Sequence, residues 1–489
     1  MKVLLAVAAF AVGAGRALAG KPFICYWESW SRYRPSPYTG SVDKIPTDLC
    51  THVIYTFAGL DSNTWKLKAL DEQWDIGAGG FKQLVALKNK NPKLKVSFAV
   101  GGWGEGVERY SNMVASSDHR KIFVKSVVDW MKTYDFDGFD VDWEYPADLE
   151  RGGKRADKAY LILLLKELRE ALGPKKLLTI AVFSTNEKIE LAYDVPNIAK
   201  YCDYIHVMTY DLRANWDGVL GNHVALYPGS NDHGKFTQLT VAQGMKNWAA
   251  AGAPKDKLIM GIAFYGKSFT LQSSTNNRPG DVSIRAGSPA AVSQEAGTLF
   301  YFEICERLKQ GWTRVFDGAT KVPHAYNGDQ WVGYEDGESI RYKTDLINKE
   351  GYGGAMTWAI ARDDEANVCG GGSYPLSRAI VKGLGGSNGG GNNNDDTNLT
   401  TPAPQPTLST TSSLEPSPRP NPSPVDCSSG QEYIPHSSKC TKYIRCVYGT
   451  PFEQTCPSGL VFDSNAKVCN WPFSVNPKLP AGCSDANGQ

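Results

Sequence analysis

The chain has 489 residues, 42% of them hydrophobic and 21% charged, which is enough for one domain of roughly 250 residues or more and a smaller second one. Its 52 basic and 51 acidic residues give a formal net charge of +1, with no dense block of Lys or Arg. This balance excludes the strong positive field typical of proteins that bind nucleic acid or anionic membranes, and it favours an uncharged partner.

The first nineteen residues have the layout of a secretory signal peptide. Lys2 precedes an apolar run over 3–12, and Ala17-Leu18-Ala19 provides the small residues of a cleavage site. A membrane anchor is the alternative, but a run of about ten apolar residues is too short to span a bilayer, and no later run reaches about 18. We therefore expect residues 1–19 to be removed and the protein to be secreted into an oxidising, extracellular environment.

Eight β-rich runs alternate with helical patterns between residues 20 and 384. The runs are 23–27, 52–57, 95–100, 138–143, 178–183, 204–208, 258–264 and 354–360. Residues 118–134 and 157–172 carry apolar stripes at helical spacing. Eight such alternations predict a (β/α)₈ TIM barrel as the catalytic domain. The interval before the eighth run is too long for one helix, and residues 267–337 are rich in turns, so we predict an α+β insertion there.

The fourth β-rich run carries three acids at alternate positions, in the sequence DGFDVDWEYP. Side chains two apart on a strand share a face, so Asp140, Asp142 and Glu144 form one file of carboxylates. A solvated acidic edge is the alternative, but the intervening apolar residues favour a half-buried strand. Like charges this close cannot all ionise freely, so at least one acid should keep its proton near neutral pH and serve as a general acid.

Aromatic and polar residues cluster where the predicted strands end, which is where TIM barrels place their active sites. Each aromatic alone is more often a core ring, but their shared placement beside carboxylates favours a groove that stacks on sugar rings. The residues in question are Tyr26, Trp27, Trp30, Gly102, Trp103, Tyr210, Asp211, Tyr265 and Trp358.

Composition changes after the barrel pattern. Residues 385–426 consist mainly of Gly, Asn, Pro, Ser and Thr, which cannot build a core, so we predict a linker. It contains an N-glycosylation pattern at Asn398. Residues 427–489 hold six of the eleven cysteines without close CxxC pairs, which favours a disulfide framework over a zinc site. Six cysteines allow 15 pairings, and spacing does not choose among them.

Four motifs in order resemble those of the family 18 glycoside hydrolases, in particular the animal chitinases: KVSFAVGGW, DGFDVDWEYP, MTYD and GAMTWAI. The resemblance covers residues 21–384 and implies hydrolysis of the β-1,4 linkages of chitin. It implies that Glu144 protonates the glycosidic oxygen and that Asp142 orients the substrate's own 2-acetamido group as the nucleophile. Asp140 would share a proton with Asp142, and Tyr210 would bind the acetamido oxygen. This is substrate-assisted catalysis with retention of configuration.

The position of the acids also speaks against a protein nucleophile. Asp142 and Glu144 project from one strand on one side, whereas a nucleophile and its acid partner should flank the scissile bond. The substrate groove is expected to comprise Tyr26, Trp30, Phe57, Gly102, Trp103, Tyr145, Met208, Asp211, Trp216, Tyr265, Lys267 and Trp358. Three positions depart from the common family pattern: Lys267 stands in place of Arg, Ala214 in place of Gly, and Ala361 in place of Asp. They bear on substrate-length preference rather than on the acid.

The tail, with CPSGLVFDSNAKVCNWP, resembles the peritrophin-A chitin-binding module. That resemblance implies the pairs Cys427–Cys446, Cys440–Cys483 and Cys456–Cys469. In the barrel, the resemblance to the family 18 glycoside hydrolases implies Cys25–Cys50 and Cys305–Cys369, with Cys202 as a buried free thiol. Tyr443, Tyr448, Phe462, Trp471 and Phe473 are candidates for sugar stacking, although about half should form the core of so small a module.

The sequence thus predicts a secreted, monomeric, endo-acting chitinase that binds chitin and chitooligosaccharides and needs neither metal nor cofactor. A chitinase-like lectin that has lost the acid is one alternative, and a chitin-anchored matrix protein is another. Glu144 separates the enzyme from the lectin, since fold alone does not establish activity.

Overall fold

The computed structural model describes residues 20–385 continuously and, in the C-terminal region, residues 433–436, 439–447, 450–456, 461–464 and 468–470. The chain divides into two compact units, Met1–Asp396 and Thr397–Gln489. The predicted signal peptide, residues 386–426 of the predicted linker and Asn398 lie outside the described residues.

The larger unit is built on a closed barrel of eight parallel strands. They are Phe23–Glu28, His52–Leu60, Lys95–Gly101, Gly138–Asp142, Leu177–Val182, Tyr204–Val207, Leu258–Ala263 and Gly354–Trp358. The first strand pairs with both the second and the eighth, which closes the sheet on itself. The predicted (β/α)₈ barrel is confirmed, and each strand overlaps the run predicted for it. A short strand, Leu67–Ala69, pairs antiparallel with the end of the second strand and was not predicted.

Alternate residues of the fourth strand face opposite sides of the barrel wall, as the period of two requires. Phe139 and Val141 pack in the large core between strands and helices. Asp140 and Asp142 are buried on the other side, where Asp140 bonds to Tyr26 of the inner cluster. The strand ends at Asp142 rather than at Glu144, because its pairing with the third strand stops at Gly101. The Gly102 N–H donates instead to the Asp142 carbonyl at 2.7 Å.

Helices surround the barrel on the outside. They span Gly80–Val85, Glu108–Ala115, Ser117–Tyr134, Asp157–Leu172, Asn186–Ala192, Val195–Tyr201, Val241–Ala250, Gly337–Glu350 and Pro375–Gly383. The predicted helix over 118–134 begins one residue earlier, where the Ser116 side chain accepts a hydrogen bond from the His119 N–H, a standard N-cap. Of the predicted stripe of Phe123, Val127, Trp130 and Met131, it buries all but Trp130, which is partly buried against the same core.

An antiparallel sheet is inserted directly after the seventh barrel strand, as predicted. Its strands are Tyr265–Leu271, Ser283–Ala286, Thr298–Phe300, Thr313–Asp317, Val322–Asn327 and Gln330–Gly333, accompanied by the helix Tyr301–Lys309. The insertion begins at Tyr265, two residues before the predicted 267, so the same strand that opens this sheet carries Tyr265 and Lys267.

Two disulfide bonds, Cys25–Cys50 and Cys305–Cys369, are formed in the larger unit, and Cys202 is a buried free thiol. These match the pairs implied by the resemblance. Within the described residues, no helix has the length and apolar character needed to span a membrane.

The described residues of the smaller unit form two antiparallel sheets, one of Tyr433–Pro435, Lys442–Val447 and Thr450–Thr455, the other of Val461–Asp463 and Val468–Asn470. Phe462 is buried and stacks on Tyr443, with the ring centroids 4.5 Å apart, so this ring belongs to the small core. Cys440 and Cys456 each take part in a disulfide bond. The pairing of the six cysteines stays a prediction. Cys427, Cys483, Tyr448, Trp471 and Phe473, and the side chains of Cys446 and Cys469, lie outside the described residues.

Candidate active site

Asp140 is the innermost member of the carboxylate file and is held by neighbouring strands. Its carboxylate accepts hydrogen bonds from the Tyr26 hydroxyl, at 2.8 Å, and from the Thr179 hydroxyl. The Tyr26 hydroxyl also lies 2.6 Å from Nδ1 of His206. Burial lowers the pKa of His206 to about 3, so this imidazole is neutral. Both contacts are satisfied if Nδ1 carries the proton and donates to Tyr26, which then donates to Asp140.

All three acids of the file have raised pKa values, and burial is the largest cause in each. The pKa of Asp140 rises to about 6, since the two hydroxyl donors partly offset its burial. The pKa of Asp142 is raised well above its usual range by burial and by the charges of Glu144 and Asp140. Its Oδ1 atom is buried and has no hydrogen-bond partner in the part of the chain that the structure describes, so its capacity to accept a hydrogen bond is unused there.

Glu144 lies just beyond the strand and is partly exposed. Burial raises its pKa to about 7, and the charge of Asp211 acts in the same direction. Hydrogen bonds from Tyr145 and from the backbone of Trp103, and the charge of Arg151, oppose this increase. A carboxyl group with this pKa is about half protonated at pH 7 and can reach solvent, which suits a general acid.

A second polar cluster lies after the sixth strand. Asp211 accepts a hydrogen bond from the Tyr265 hydroxyl at 2.8 Å and has Nζ of Lys267 3.4 Å away. The Asp211 side chain is 44% exposed; its partial desolvation raises its pKa, but Lys267, His223 and Tyr265 together hold the pKa well below the usual range. Within the described residues, the hydrogen-bond contact of the neighbouring Tyr210 hydroxyl is Sδ of Met356, at 3.9 Å. Asp211 is therefore a fixed negative charge, and the Tyr210 hydroxyl can serve a ligand.

Aromatic rings form a floor beside the acids. Trp358, at the end of the eighth strand, stacks on Phe57 with the centroids 5.7 Å apart, and Phe57 stacks on Trp30 at 6.1 Å. Gly102 has a φ of 79°, and a Cβ there would lie 2.6 Å from the Phe57 ring, so glycine is required. These contacts bring together residues that come from the first, second, third and eighth strands.

The predicted groove residues divide by exposure into two groups. Trp30, Trp103 and Trp216 expose 43%, 60% and 51% of their surface, which leaves flat apolar faces for a ligand. Tyr26 and Tyr265 expose 2% and 3% and bond to Asp140 and Asp211. They support the acids from behind rather than line an open groove. Phe57, Tyr145 and Met208 are also buried, in the inner cluster.

The three departures from the family pattern have simple structural settings. Ala214 has a φ of −158°, an extended backbone that does not need glycine. The carbonyl of Ala361 accepts a hydrogen bond from Arg34 at 2.6 Å. Lys267 approaches Asp211 as a single charge, without the two-pronged contact that an arginine could make.

Several supporting residues were not predicted. His206 shares a face with Met208 and Tyr210 by alternation, which was a usable signal, but a lone histidine in a strand is usually a core residue. Thr179 meets Asp140 only because the fourth and fifth strands pair in that register. Buried Glu28 binds Arg34 and Arg362, and the Arg362 guanidinium lies 5.8 Å from the Trp358 ring centroid. Contacts between residues so far apart in the chain cannot be predicted from the order of the residues in the sequence. No group of metal-ligating side chains suited to an ion occurs within the described residues.

Comparison with known proteins gives a consistent picture. Residues 22–363 match the model of the glycosyl hydrolases family 18, and residues 427–477 match the chitin binding Peritrophin-A domain. An endochitinase of Manduca sexta is 36% identical, with 92% of this chain and 94% of that protein covered. Among solved structures, a Group IV chitinase of Ostrinia furnacalis, also solved in complex with allosamidin, is 38% identical with a TM-score of 0.72. Human YKL-39, described as a pseudo-chitinase with retained chitooligosaccharide binding, is 32% identical with a TM-score of 0.69. Each of these structures covers 75% of this chain and is itself fully covered.

Proposed function

The chain belongs to glycosyl hydrolase family 18, and on this premise we propose that it is a secreted endochitinase that cleaves the β-1,4 linkages of chitin with retention of configuration. That it is a chitinase, a glycoside hydrolase, follows from its relatives. The observation that carries the finer proposal is the file of three buried or partly buried acids, with the pKa of Glu144 raised to about 7 beside exposed tryptophans.

Glu144 acts as the proton donor. Its proton passes to the glycosidic oxygen as the bond from that oxygen to the anomeric carbon breaks. The leaving sugar departs as a neutral alcohol, and the carboxylate that remains later takes a proton from the attacking water. Support for this role comes from the position of Glu144 at the edge of the site, with part of its side chain open to solvent.

The substrate's 2-acetamido group acts as the nucleophile. Its carbonyl oxygen bonds to the anomeric carbon and forms a cyclic oxazolinium, which water opens from the same face that the leaving group left. The unpartnered Asp142 Oδ1 accepts the acetamido N–H, and the Tyr210 hydroxyl donates to the acetamido oxygen. Asp140, held by Tyr26 and Thr179, shares one proton with Asp142 and so places negative charge near the developing cation.

A protein nucleophile is less well supported. The carboxylate oxygens of Asp140 are occupied by hydroxyl donors on neighbouring strands. Asp142 is the last residue of the strand and Glu144 follows it by only two residues, whereas a retaining pair should flank the bond. Fully deacetylated chitosan lacks the acetamido group, and we expect it to be a poor substrate; turnover at a rate similar to that of chitin would contradict this mechanism.

Endo action and chitin anchoring have separate support. The exposed faces of Trp30, Trp103 and Trp216 offer stacking surface for several sugar units of an uncharged polymer. The second module matches a chitin-binding domain, and tethering such a module raises the local concentration of the catalyst on an insoluble substrate. Analysis of product sizes over time on long chitin would show mixed internal cleavage products for an endo enzyme and a single short product for an exo enzyme.

The lectin alternative is tested at one residue. YKL-39 has the same fold, so the fold does not separate enzyme from lectin. Turnover of a fluorogenic chitooligosaccharide should fall by at least about a thousandfold in Glu144→Gln, which keeps the shape but has no proton to donate. Binding of the same sugar should persist in this variant. Equal hydrolysis by both proteins would refute the proposal, and binding without any hydrolysis by the unmodified protein would favour a lectin.

A further inference from the structure

Arg151 joins the loop that carries the acid to the loop that carries Trp103, the most exposed tryptophan among the described residues. It lies at the end of a single 3₁₀ turn, Leu149–Arg151, after the fourth strand. One guanidinium nitrogen donates to the Glu144 carbonyl at 2.6 Å, and another donates to the Trp103 carbonyl at 2.6 Å. The guanidinium carbon lies 3.6 Å from the centroid of the Trp103 ring.

The side chain of Trp103 rests on this arginine. A ring that exposes 60% of its surface is held by few contacts, so the stacked guanidinium on one face leaves the other face free for a ligand. The backbone of Trp103 also lowers the pKa of the Glu144 carboxyl. Arg151 therefore contacts both the residue that carries the acid and the tryptophan beside it.

The charge of Arg151 is not used in an ion pair with any carboxylate within the described residues. Surface arginines commonly pair with acids, and such pairs contribute little. Here the two hydrogen bonds and the stacking use the planar fork of the guanidinium, which a lysine cannot reproduce.

We propose that Arg151 is a positioning residue that couples sugar stacking on Trp103 to the placement of Glu144. The inference rests on the proposed function, because it assigns Glu144 as the acid. Loss of the planar guanidinium releases both the tryptophan ring and the loop that carries the acid. Sugar binding and turnover should therefore both decrease in a single variant.

The test uses Arg151→Met, which keeps the length of the side chain but loses the fork, and Arg151→Lys, which keeps the charge. Arg155→Met, at an exposed position nearby in the same loop, is the matched control. Each is made in the full-length protein and, for binding, in the Glu144→Gln background. Affinity for chitotetraose is measured by titration calorimetry, and kcat/KM is measured across pH with a fluorogenic substrate.

We expect Arg151→Met and Trp103→Ala to weaken binding by similar factors of about tenfold, and their combination to cost little more than either alone. Arg151→Lys should also weaken binding, and Arg155→Met should not. Because the guanidinium lowers the pKa of Glu144, its loss in Arg151→Met should move the basic limb of the kcat/KM profile to higher pH, whereas Arg151→Lys should keep the limb nearer its original place. The other groups that face this acid are unchanged in these variants: Asp142, Tyr145, Tyr193, Tyr210 and Asp211.

Unchanged binding in Arg151→Met, or losses that multiply with those of Trp103→Ala, would overturn the proposal. A uniform fall in kcat/KM with no shift of the basic limb would do the same, since a merely structural role predicts that result. The binding comparison does not depend on turnover, so it decides the role of Arg151 even if the unmodified protein hydrolyses nothing and the proposed function fails.

Discussion

Replacing Tyr26 by Phe should move the acid limb of the kcat/KM profile to higher pH and leave the basic limb in place. In the proposed mechanism the pair of Asp140 and Asp142 carries one negative charge, which is lost when Asp140 also takes a proton, at a pKa of about 6. Glu144 must be protonated, and its pKa is about 7. The unmodified protein should therefore show a narrow bell whose maximum lies near pH 6.5.

The size of the shift follows from the hydrogen bond that is removed. The Tyr26 hydroxyl donates to the Asp140 carboxylate at 2.8 Å, and this bond favours the ionised form. A hydrogen bond to a charged group contributes about 1.5–3 kcal/mol, or about one to two pKa units. For a shift of one unit, kcat/KM should fall about ninefold at pH 5 but less than about threefold at pH 6.5.

The assay is hydrolysis of a fluorogenic chitooligosaccharide at substrate concentrations well below KM, from pH 4 to pH 9 in buffers of constant ionic strength. Tyr55→Phe is the control, since it also removes a buried hydroxyl bonded to a carboxylate, that of Asp75 on the outer side of the barrel wall. A Tyr26→Phe profile lowered equally at every pH, or an acid limb displaced to lower pH, would refute the assignment of that limb to Asp140.

Three further outcomes are expected. Arg362 and Arg34 lower the pKa of Glu28 to about 2 against the effect of its burial. A depressed carboxyl pKa stabilises the fold at neutral pH, and this contribution is lost as pH falls from about 4.5 to about 2. Glu28→Gln should therefore lower the free energy of unfolding in urea by about 3 kcal/mol at pH 7 and should weaken its dependence on pH in that range. Equal stability of the two proteins at pH 7 would contradict this. Asp211→Asn removes a charge that raises the pKa of Glu144, so the basic limb of kcat/KM should move to lower pH, and a shift to higher pH would show that the charge acts elsewhere. A chain that ends after the barrel unit should hydrolyse soluble chitooligosaccharides at the full rate but no longer bind solid chitin, and equal retention on chitin beads would argue against a role for the second module.

The fold and the file of acids were predictable because each depends on local periodicity. Eight alternations of strand and helix leave few arrangements other than a closed barrel. A period of two places Asp140 and Asp142 on one face whatever the neighbouring strands are, and Glu144 follows two residues beyond the end of this strand. At least one of these acids was expected to keep its proton near neutral pH, and all three have raised pKa values.

Residues whose roles depend on register between distant segments could not be assigned in this way. Tyr26 looked like a groove residue from its place on the first strand, yet it is buried and bonds to Asp140, 114 positions later. Thr179 reaches the same carboxylate only because the fourth and fifth strands pair at that level. These contacts determine the protonation of the site, because the hydroxyl donors keep the pKa of Asp140 near 6, whereas the pKa of its neighbour Asp142 is raised well above its usual range. The motif therefore specifies which acids are present, and the partners drawn from other strands determine which of them holds a proton when the substrate arrives.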